Sequence, residues 1–407
     1  MQDSAEMAQG TSTKGPLSEV VLLDLTRALA GPYCSMILAD LGIETIKIEA
    51  PNGRDQIGGP SRLNVKGQSS HFLAHSRNKK SVCIDLKSNE GKQIFYELTE
   101  KADVVLDNYR PGVIERIGVE YERLSKINPR IICCSISGFG STGQMRNRPA
   151  YDLIAQAMSG VMSITGEPPP VRSGPPIGDM CAGMFAAHGI MTALYERERN
   201  GRGQKVETSL LAGQIALLGY MVLDYFLTGD NPAPVGLGQR ASPQYHSFRV
   251  RDGHIAIAAV GAERFWVNLC KAIDREDINK DPRFDTAEKR MENADQLIPI
   301  MEGIFSQRTV KEWIDRLVAA DVPCGPVNTI EQALNDPQVL DQNMVVDVEF
   351  QGERVKMAGS PIKMSGTPIP MYNSPPLLGE HTDQILSTFL KYDKEKIEKL
   401  RREKVII

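Results

Sequence analysis

The chain has 407 residues, with 47 basic against 51 acidic side chains. That length exceeds what one compact core accommodates and points to about two domains. Near-neutral charge leaves no electrostatic footprint for nucleic acid or an anionic membrane, so the expected partners are small molecules and other protein chains.

Met1 to Pro16 is polar and mixed in charge, without the basic head and apolar run of a secretory signal, and reads as a flexible tail ending near residue 18. No uninterrupted apolar stretch is long enough to span a bilayer. A cytoplasmic location is the expectation. From residue 19 short β-branched runs alternate with helical segments, which is the mark of a parallel α/β sheet. Strands are expected at Val20 to Leu25, Thr45 to Ile48, Ser81 to Leu86, Asp103 to Asp107 and Ile131 to Ile136. Helices are expected from Ala30-Gly31-Pro32 through Leu41 and from Asn89 to Lys101, with Pro32 suited to a first turn. The strand runs are continuously apolar and so are buried on both faces. Ligands of such sheets bind outside the carboxyl ends of the strands, here Thr26 to Pro32, Asn108 to Gly112 and Ser137 to Gly143.

Gly201-Arg202-Gly203-Gln204 ends a helix and starts a strand, and Ser209 to Phe226 is a strongly apolar helical stretch. The character then changes. Tyr245 to Val250 and His254 to Val260 flank Arg251-Asp252-Gly253, a hairpin signal, and helical regions follow around Phe265 to Ile273 and Ala294 to Leu317. Val345 to Phe350 and Arg354 to Met357 form a second hairpin pattern, followed by a Pro-rich passage and a charged terminal helix. The resulting organisation is a large α/β domain from 19–225, a smaller α+β domain from 226–335, and a return segment from 336–407 that completes the large domain.

The seven cysteines are scattered and embedded in apolar runs, so they read as reduced core thiols. No His or Cys cluster has metal-ligand spacing. The turn at Leu25 to Pro32 lacks the glycine spacing of a dinucleotide site, and no nucleophile elbow is present. Arg77-Asn78-Lys79-Lys80 and Lys87 read either as a solvated basic edge or as a phosphate-holding cluster, and Asn108-Tyr109-Arg110-Pro111-Gly112 shares that ambiguity. Asp179 is a lone carboxylate between the turn-forming Ser173 to Gly178 and the small-residue helix Met180 to Ala187. It can cap that helix as an Asp N-cap does, or serve as a nucleophile toward an acyl group.

Taken in order, these residues resemble the class III coenzyme A transferases. The resemblance rests on Leu23-Asp24-Leu25-Thr26 with Ala30-Gly31-Pro32, Ile46-Lys47-Ile48-Glu49, Arg77 to Ser81, Asp107 to Gly112, Ser137 to Gly140, Gly178-Asp179, Gly201 to Gln204, Pro323-Cys324-Gly325-Pro326 and Pro376 to Thr382, and it spans residues 19 to 407. It implies an α/β fold with a Rossmann-like large domain and an interlocked dimer, as a homodimer or a heteromer with a paralogous chain. It implies no permanently bound cofactor, with coenzyme A esters as substrates. Asp179 is then the nucleophile that forms an acyl-aspartyl anhydride and next an aspartyl-CoA thioester. The CoA contacts carry over to Ala28, Ile84, Lys87, Asn108, Tyr109, Arg116 and Ile117.

Departures from the family pattern narrow the substrate. Ala50 stands where oxalate-related members use an Arg on the nucleotide. Leu29 stands where formyl-CoA:oxalate enzymes have Gln, and Gly236-Leu237-Gly238-Gln239 retains only part of their glycine loop. Tyr151-Asp152 replaces the His that acyl-CoA racemases pair with the motif Asp, which weighs against racemisation, an acid-base reaction. The pattern is nearest to members that pass CoA from succinyl-CoA to a dicarboxylic acid. A second carboxylate needs a cationic partner, and Arg27 is the candidate. The alternatives are an acyl-CoA racemase or isomerase, and a CoA-ester-binding subunit of a heteromeric transferase.

Overall fold

The computed structural model describes residues 15–51, 53, 63–166, 169–234, 236, 238, 242–369 and 372–407. Leu237 and Gln239 of the partial glycine loop lie outside the described residues, as do most of the N-terminal tail and much of the loop after Pro51. The chain divides into two compact units. One comprises the described residues up to Gly160, Gly174–Val222 and Asp341–Ile407, and the other Val161–Ser173 and Leu223–Leu340.

The first unit is built on six strands: β1 Val21–Asp24, β2 Glu44–Glu49, β3 Lys79–Cys83, β4 Val104–Asp107, β5 Ile132–Ser137 and β6 Lys205–Ser209. Their order is β3-β2-β1-β4-β5-β6, and every pairing is parallel. The order reverses between β1 and β4, which makes their carboxyl ends the topological switch point. One face of the sheet is covered by helix α1 (Ala30–Asp40) and the long helix α3 (Ile177–Asn200), packed through Cys34, Leu38, Ala182, Ala186 and Ile190. The other face is covered by helix α2 (Asn89–Thr99) and by the C-terminal Ile385, Leu386, Ile397, Leu400 and Ile406.

β3 begins two residues earlier than the apolar pattern indicates, because Lys79 and Lys80 are strand residues. For Arg77, Lys79 and Lys80, neither a solvated edge nor a phosphate site is the right description. Arg77 is buried and forks onto Asp40, Nε to Oδ1 at 3.0 Å and Nη2 to Oδ2 at 2.7 Å, and its guanidinium lies over Tyr372. Lys79 is buried against Asp24 at 3.3 Å, and Lys80 pairs with Glu44 at 2.5 Å. Removing one partner of a buried pair costs about 3–5 kcal/mol, since the other charge is left uncompensated.

The return segment seals the edge of β3. Ser81 and Cys83 donate their amides to His381 Nδ1 and Thr382 Oγ1, Gly379 N–H donates to Ser81 Oγ, and Asp85 N–H donates to the Val405 carbonyl. Gly379 has φ +69°, and a Cβ there would meet Ile407 at 2.9 Å. That geometry accounts for a glycine in the Pro376 to Thr382 motif.

By length and mean hydropathy α3 is a helix that could cross a bilayer, but Asp179 and His188 interrupt its apolar run and half of its apolar window is buried within the protein. Its small residues allow close packing: a Cβ on Gly183 would lie 2.6 Å from the Ala30 carbonyl oxygen. The apolar stretch after β6 is two helices, α4 Leu210–Leu217 and α5 Tyr220–Thr228, broken at Leu218-Gly219, where Gly219 has φ +54°.

In the second unit Tyr245–Val250 and Gly253–Ala258 form an antiparallel hairpin, and Cys324–Pro326 adds a third strand. Phe248, Trp266, Leu297, Phe305 and Trp313 fill its core. The expected Ala294 to Leu317 region is two helices, Ala294–Phe305 and Val310–Ala319, because Thr309 and Glu312 make a capping box that starts the second afresh.

Candidate functional site

The carboxyl ends of β1 to β4 open onto a cavity of about 730 Å³ in the first unit. Its floor is fixed by a buried charge cluster. Asp24 accepts from the Thr26 amide at 2.8 Å and from the Ser35 hydroxyl at 2.7 Å, and Lys47 donates to the Thr26 carbonyl at 2.7 Å. Burial alone would raise the Asp24 carboxyl, but Lys47, Lys79 and the two hydroxyls bring it down to about 2. Asn108 clamps the next peptide from both sides: it accepts from Arg27 N–H at 2.8 Å and donates to Arg27 C=O at 2.6 Å. So held, Ala28 adopts φ +65°, a conformation that costs an alanine about 1 kcal/mol and persists because its neighbours over-determine it. Gly31 belongs to the same turn, where a Cβ would come within 2.3 Å of Thr26 Cβ.

Of the residues singled out from sequence, Arg27, Ala28, Ile84, Lys87, Tyr109, Arg116 and Ile117 line this cavity, as does Ala50. Asn108 does not line it and instead holds the Arg27 peptide. The Arg27 guanidinium lies 5.2 Å from the Tyr109 ring centroid. Leu29 is buried at the start of α1, and Tyr151 is exposed; neither lines the cavity. Lys92 and Arg110 also line it. Lys92 went unnoticed because a lysine in a helix reads as surface. His75 lines the cavity too, and burial lowers its imidazole to about 4, so it is neutral at pH 7.

Asp179 is not among the cavity-lining residues. It stands in the first turn of α3, third in the helix, whose N-cap is Pro176 with no side-chain cap bond. The capping expectation is therefore corrected: the chain turns into the helix three residues earlier, and a carboxylate from elsewhere serves the helix start. Asp152 Oδ1 accepts from Gly178 N–H at 2.8 Å, while its Oδ2 accepts from Gln156 Nε2 at 2.7 Å. The Asp179 side chain has no hydrogen bond among the described residues and is partly exposed. Burial first, and the Asp152 charge second, push its carboxyl up to about 7.

The residue before it has no room for a side chain. A Cβ on Gly178 would lie 2.3 Å from Gln214 Nε2 and 3.0 Å from Asp152 Oδ1. Gln214 is fully buried on α4 and accepts from Ser159 Oγ at 3.2 Å. The arrangement presents a carboxylate that is half ionised near neutrality, unblocked by hydrogen bonds, beside a second carboxylate already committed to backbone and amide donors. Such a group is a candidate nucleophile or proton carrier.

The sequence pattern of CoA-transferase family III matches residues 17–382. Over 95% of this chain and 89% of its own length, a Mus musculus protein named succinyl-CoA:glutarate CoA-transferase is 36% identical. An Acetobacter aceti protein named acetyl-CoA:oxalate CoA-transferase is 39% identical over 85% of this chain and 90% of its own. A crystal structure of a CaiB/BaiF family protein from Brucella suis superposes with a TM-score of 0.83 at 32% identity, covering 92% of this chain and 100% of that one.

Proposed function

The chain belongs to CoA-transferase family III, and from that premise we propose that it passes coenzyme A from succinyl-CoA to a dicarboxylic acid with Asp179 as the acyl acceptor. The similar mouse and Acetobacter aceti proteins are named for glutarate and oxalate, both dicarboxylates, which supports that acceptor class. The carboxylate of Asp179 attacks the thioester carbonyl; the C–S bond breaks, and CoA thiolate leaves a succinyl-aspartyl anhydride. The thiolate attacks the aspartyl carbonyl, succinate departs, and an aspartyl-CoA thioester remains. The acceptor carboxylate attacks that thioester and forms a second anhydride, whose acceptor-side carbonyl the thiolate then takes. The products are the new acyl-CoA and the regenerated Asp179 carboxylate. Each step exchanges one acyl bond for another, with no net proton or electron transfer.

The observation that carries this reading is the Asp179 carboxylate, unengaged beside an Asp152 whose two oxygens are both occupied. A nucleophile already hydrogen-bonded would have to break those bonds before attack. The cavity at the switch point supports CoA as the donor's carrier, with Ala28, Ile84, Lys87, Tyr109, Arg116 and Ile117 at its wall and Asn108 holding the floor. With Asp179→Ala, exchange between succinyl-CoA and a panel of dicarboxylates, oxalate and glutarate included, should be abolished. Mass spectrometry of the wild-type peptide should find an aspartyl-CoA adduct absent from the variant. Undiminished exchange by Asp179→Ala would sink the mechanism.

The chain is proposed to act as a dimer, with itself or with a paralogous chain. Helices α4 and α5 leave Ile215, Leu217, Tyr220, Leu223, Phe226 and Leu227 exposed, a run of large apolar side chains of the kind that supports a protein interface.

A further inference from the structure

We infer that His75 accepts a hydrogen bond from a hydroxyl on the acceptor acid, so that among dicarboxylic acids the enzyme favours hydroxylated ones. The inference deepens the function proposed above and rests on it.

His75 is the C-cap of a short helix, Ser70–Ala74, and lines the switch-point cavity. Its Nδ1 lies 2.9 Å from the His71 carbonyl oxygen. A carbonyl only accepts, so Nδ1 carries the hydrogen, and in a neutral ring the other nitrogen is then a bare acceptor. Burial is the main reason the ring is neutral, and the nearby Lys79 and Arg77 charges act in the same sense. Nε2 has no partner among the described residues, yet it is not enclosed as the unpartnered Nδ1 of His246 is. An acceptor kept open at a cavity wall is available to a donor that a ligand brings.

The place of the ring decides which part of a ligand it meets. The cavity reaches from α2, which supplies Lys92, to α1, which supplies Pro32, and these helices cover opposite faces of the sheet. His75 belongs to the α1 end: its ring meets Tyr33 of α1 edge-on, with centroids 6.0 Å apart. Tyr33 in turn packs on α3, where a Cβ on Gly183 would lie 3.1 Å from Tyr33 Cδ1. Gly183 follows Asp179 by about one helical turn. The ring therefore stands on the side where an acyl group reaches Asp179, beyond the amides of the pantetheine arm.

A plain dicarboxylate brings only methylenes and carboxylate lone pairs to this end, and neither satisfies the lone pair on Nε2. A hydroxyl does, because it donates. Two other acceptors at the same end are already engaged: Ser69 Oγ accepts from the Phe72 amide at 3.2 Å, and the Pro32 carbonyl accepts from Lys79 Nζ at 3.1 Å.

The test measures kcat/KM for CoA transfer from succinyl-CoA to glutarate and to each enantiomer of 2-hydroxyglutarate, acids that differ by one hydroxyl. Wild type should favour one hydroxy acid over glutarate by roughly three- to tenfold. His75→Phe, which keeps an aromatic ring against Tyr33 but has no acceptor, should abolish that preference; His75→Gln, which keeps an acceptor oxygen, should retain part of it. All three acids are assayed on one preparation, so any loss of folded protein cancels in the ratio. No preference in wild type, or a preference that survives in His75→Phe, overturns the inference, and an equal fall with every acid is the form that contact with the CoA arm or packing alone would take. Transfer to glutarate without a hydroxyl preference overturns this inference alone, whereas a wild type that transfers CoA to no dicarboxylate overturns the proposed function and this inference with it.

Discussion

Replacing Asp152 by Asn tests whether its charge sets the working pH of the nucleophile. Asp179 rises from an ordinary 3.8 to about 7, burial being the larger cause and Asp152 the smaller. Removing a neighbouring negative charge can only make ionisation easier, so the pKa falls; a like charge acting second to burial is worth about one pH unit. The reactive form is the carboxylate, so transfer should increase with pH through about 7 in the wild type. In Asp152→Asn that acid limb should move to about 6. At pH 6 the ionised fraction would rise from about one in eleven to about one half, a gain of roughly fivefold. The substituted amide keeps an oxygen able to accept from Gly178 N–H, so the helix start is preserved. The assay is the pH dependence of kcat for succinyl-CoA and glutarate between pH 5 and 9, with circular dichroism to verify the fold. A limb that stays at 7, or moves to higher pH, would refute the electrostatic coupling.

Gly178→Ala should lower thermal stability by about 1–3 kcal/mol and reduce transfer together, because the added methyl drives against Gln214 and Asp152. An unchanged Tm and kcat would show that the pair yields freely and that the glycine is not needed for space. Light scattering on the purified protein should give the mass of two chains; a stable monomer would leave the apolar surface of α4 and α5 unexplained.

Much of the first unit was legible because its strands are continuous apolar runs, and such runs are buried whatever their neighbours are. The parallel sheet and the placing of Arg27, Ala28 and Tyr109 at strand carboxyl ends follow from the alternation of strand and helix; the β3-β2-β1-β4-β5-β6 order does not, since alternation leaves open which strands are neighbours. Arg77 and Lys79 were misread because burial of a cation depends on a carboxylate that sequence does not pair with it; Asp40 and Asp24 lie 37 and 55 residues away. The start of α3 was misplaced for a similar reason. Pro175 and Pro176 suggest a loop, and the bond that anchors the first turn comes from Asp152, 26 residues upstream. The need for glycine at position 178 comes from Gln214 on a different helix. Local patterns register propensity; they do not register what arrives from elsewhere in the chain.

The sealing of β3 by residues 379–406 has a consequence for how the protein is made. A ribosome delivers β3 about three hundred residues before the segment that covers its edge, and the buried Arg77 meets Tyr372 and the Ala358 carbonyl only near the end of synthesis. Until then β3 has an open edge, of the kind that pairs with other nascent chains. Leu223–Leu340, by contrast, is a continuous stretch that emerges whole before the last segment is translated. Chains truncated before residue 379 would therefore lack the seal on β3 however complete their catalytic residues, and the abundance of the enzyme in a cell would depend on protecting that edge during the final stage of translation.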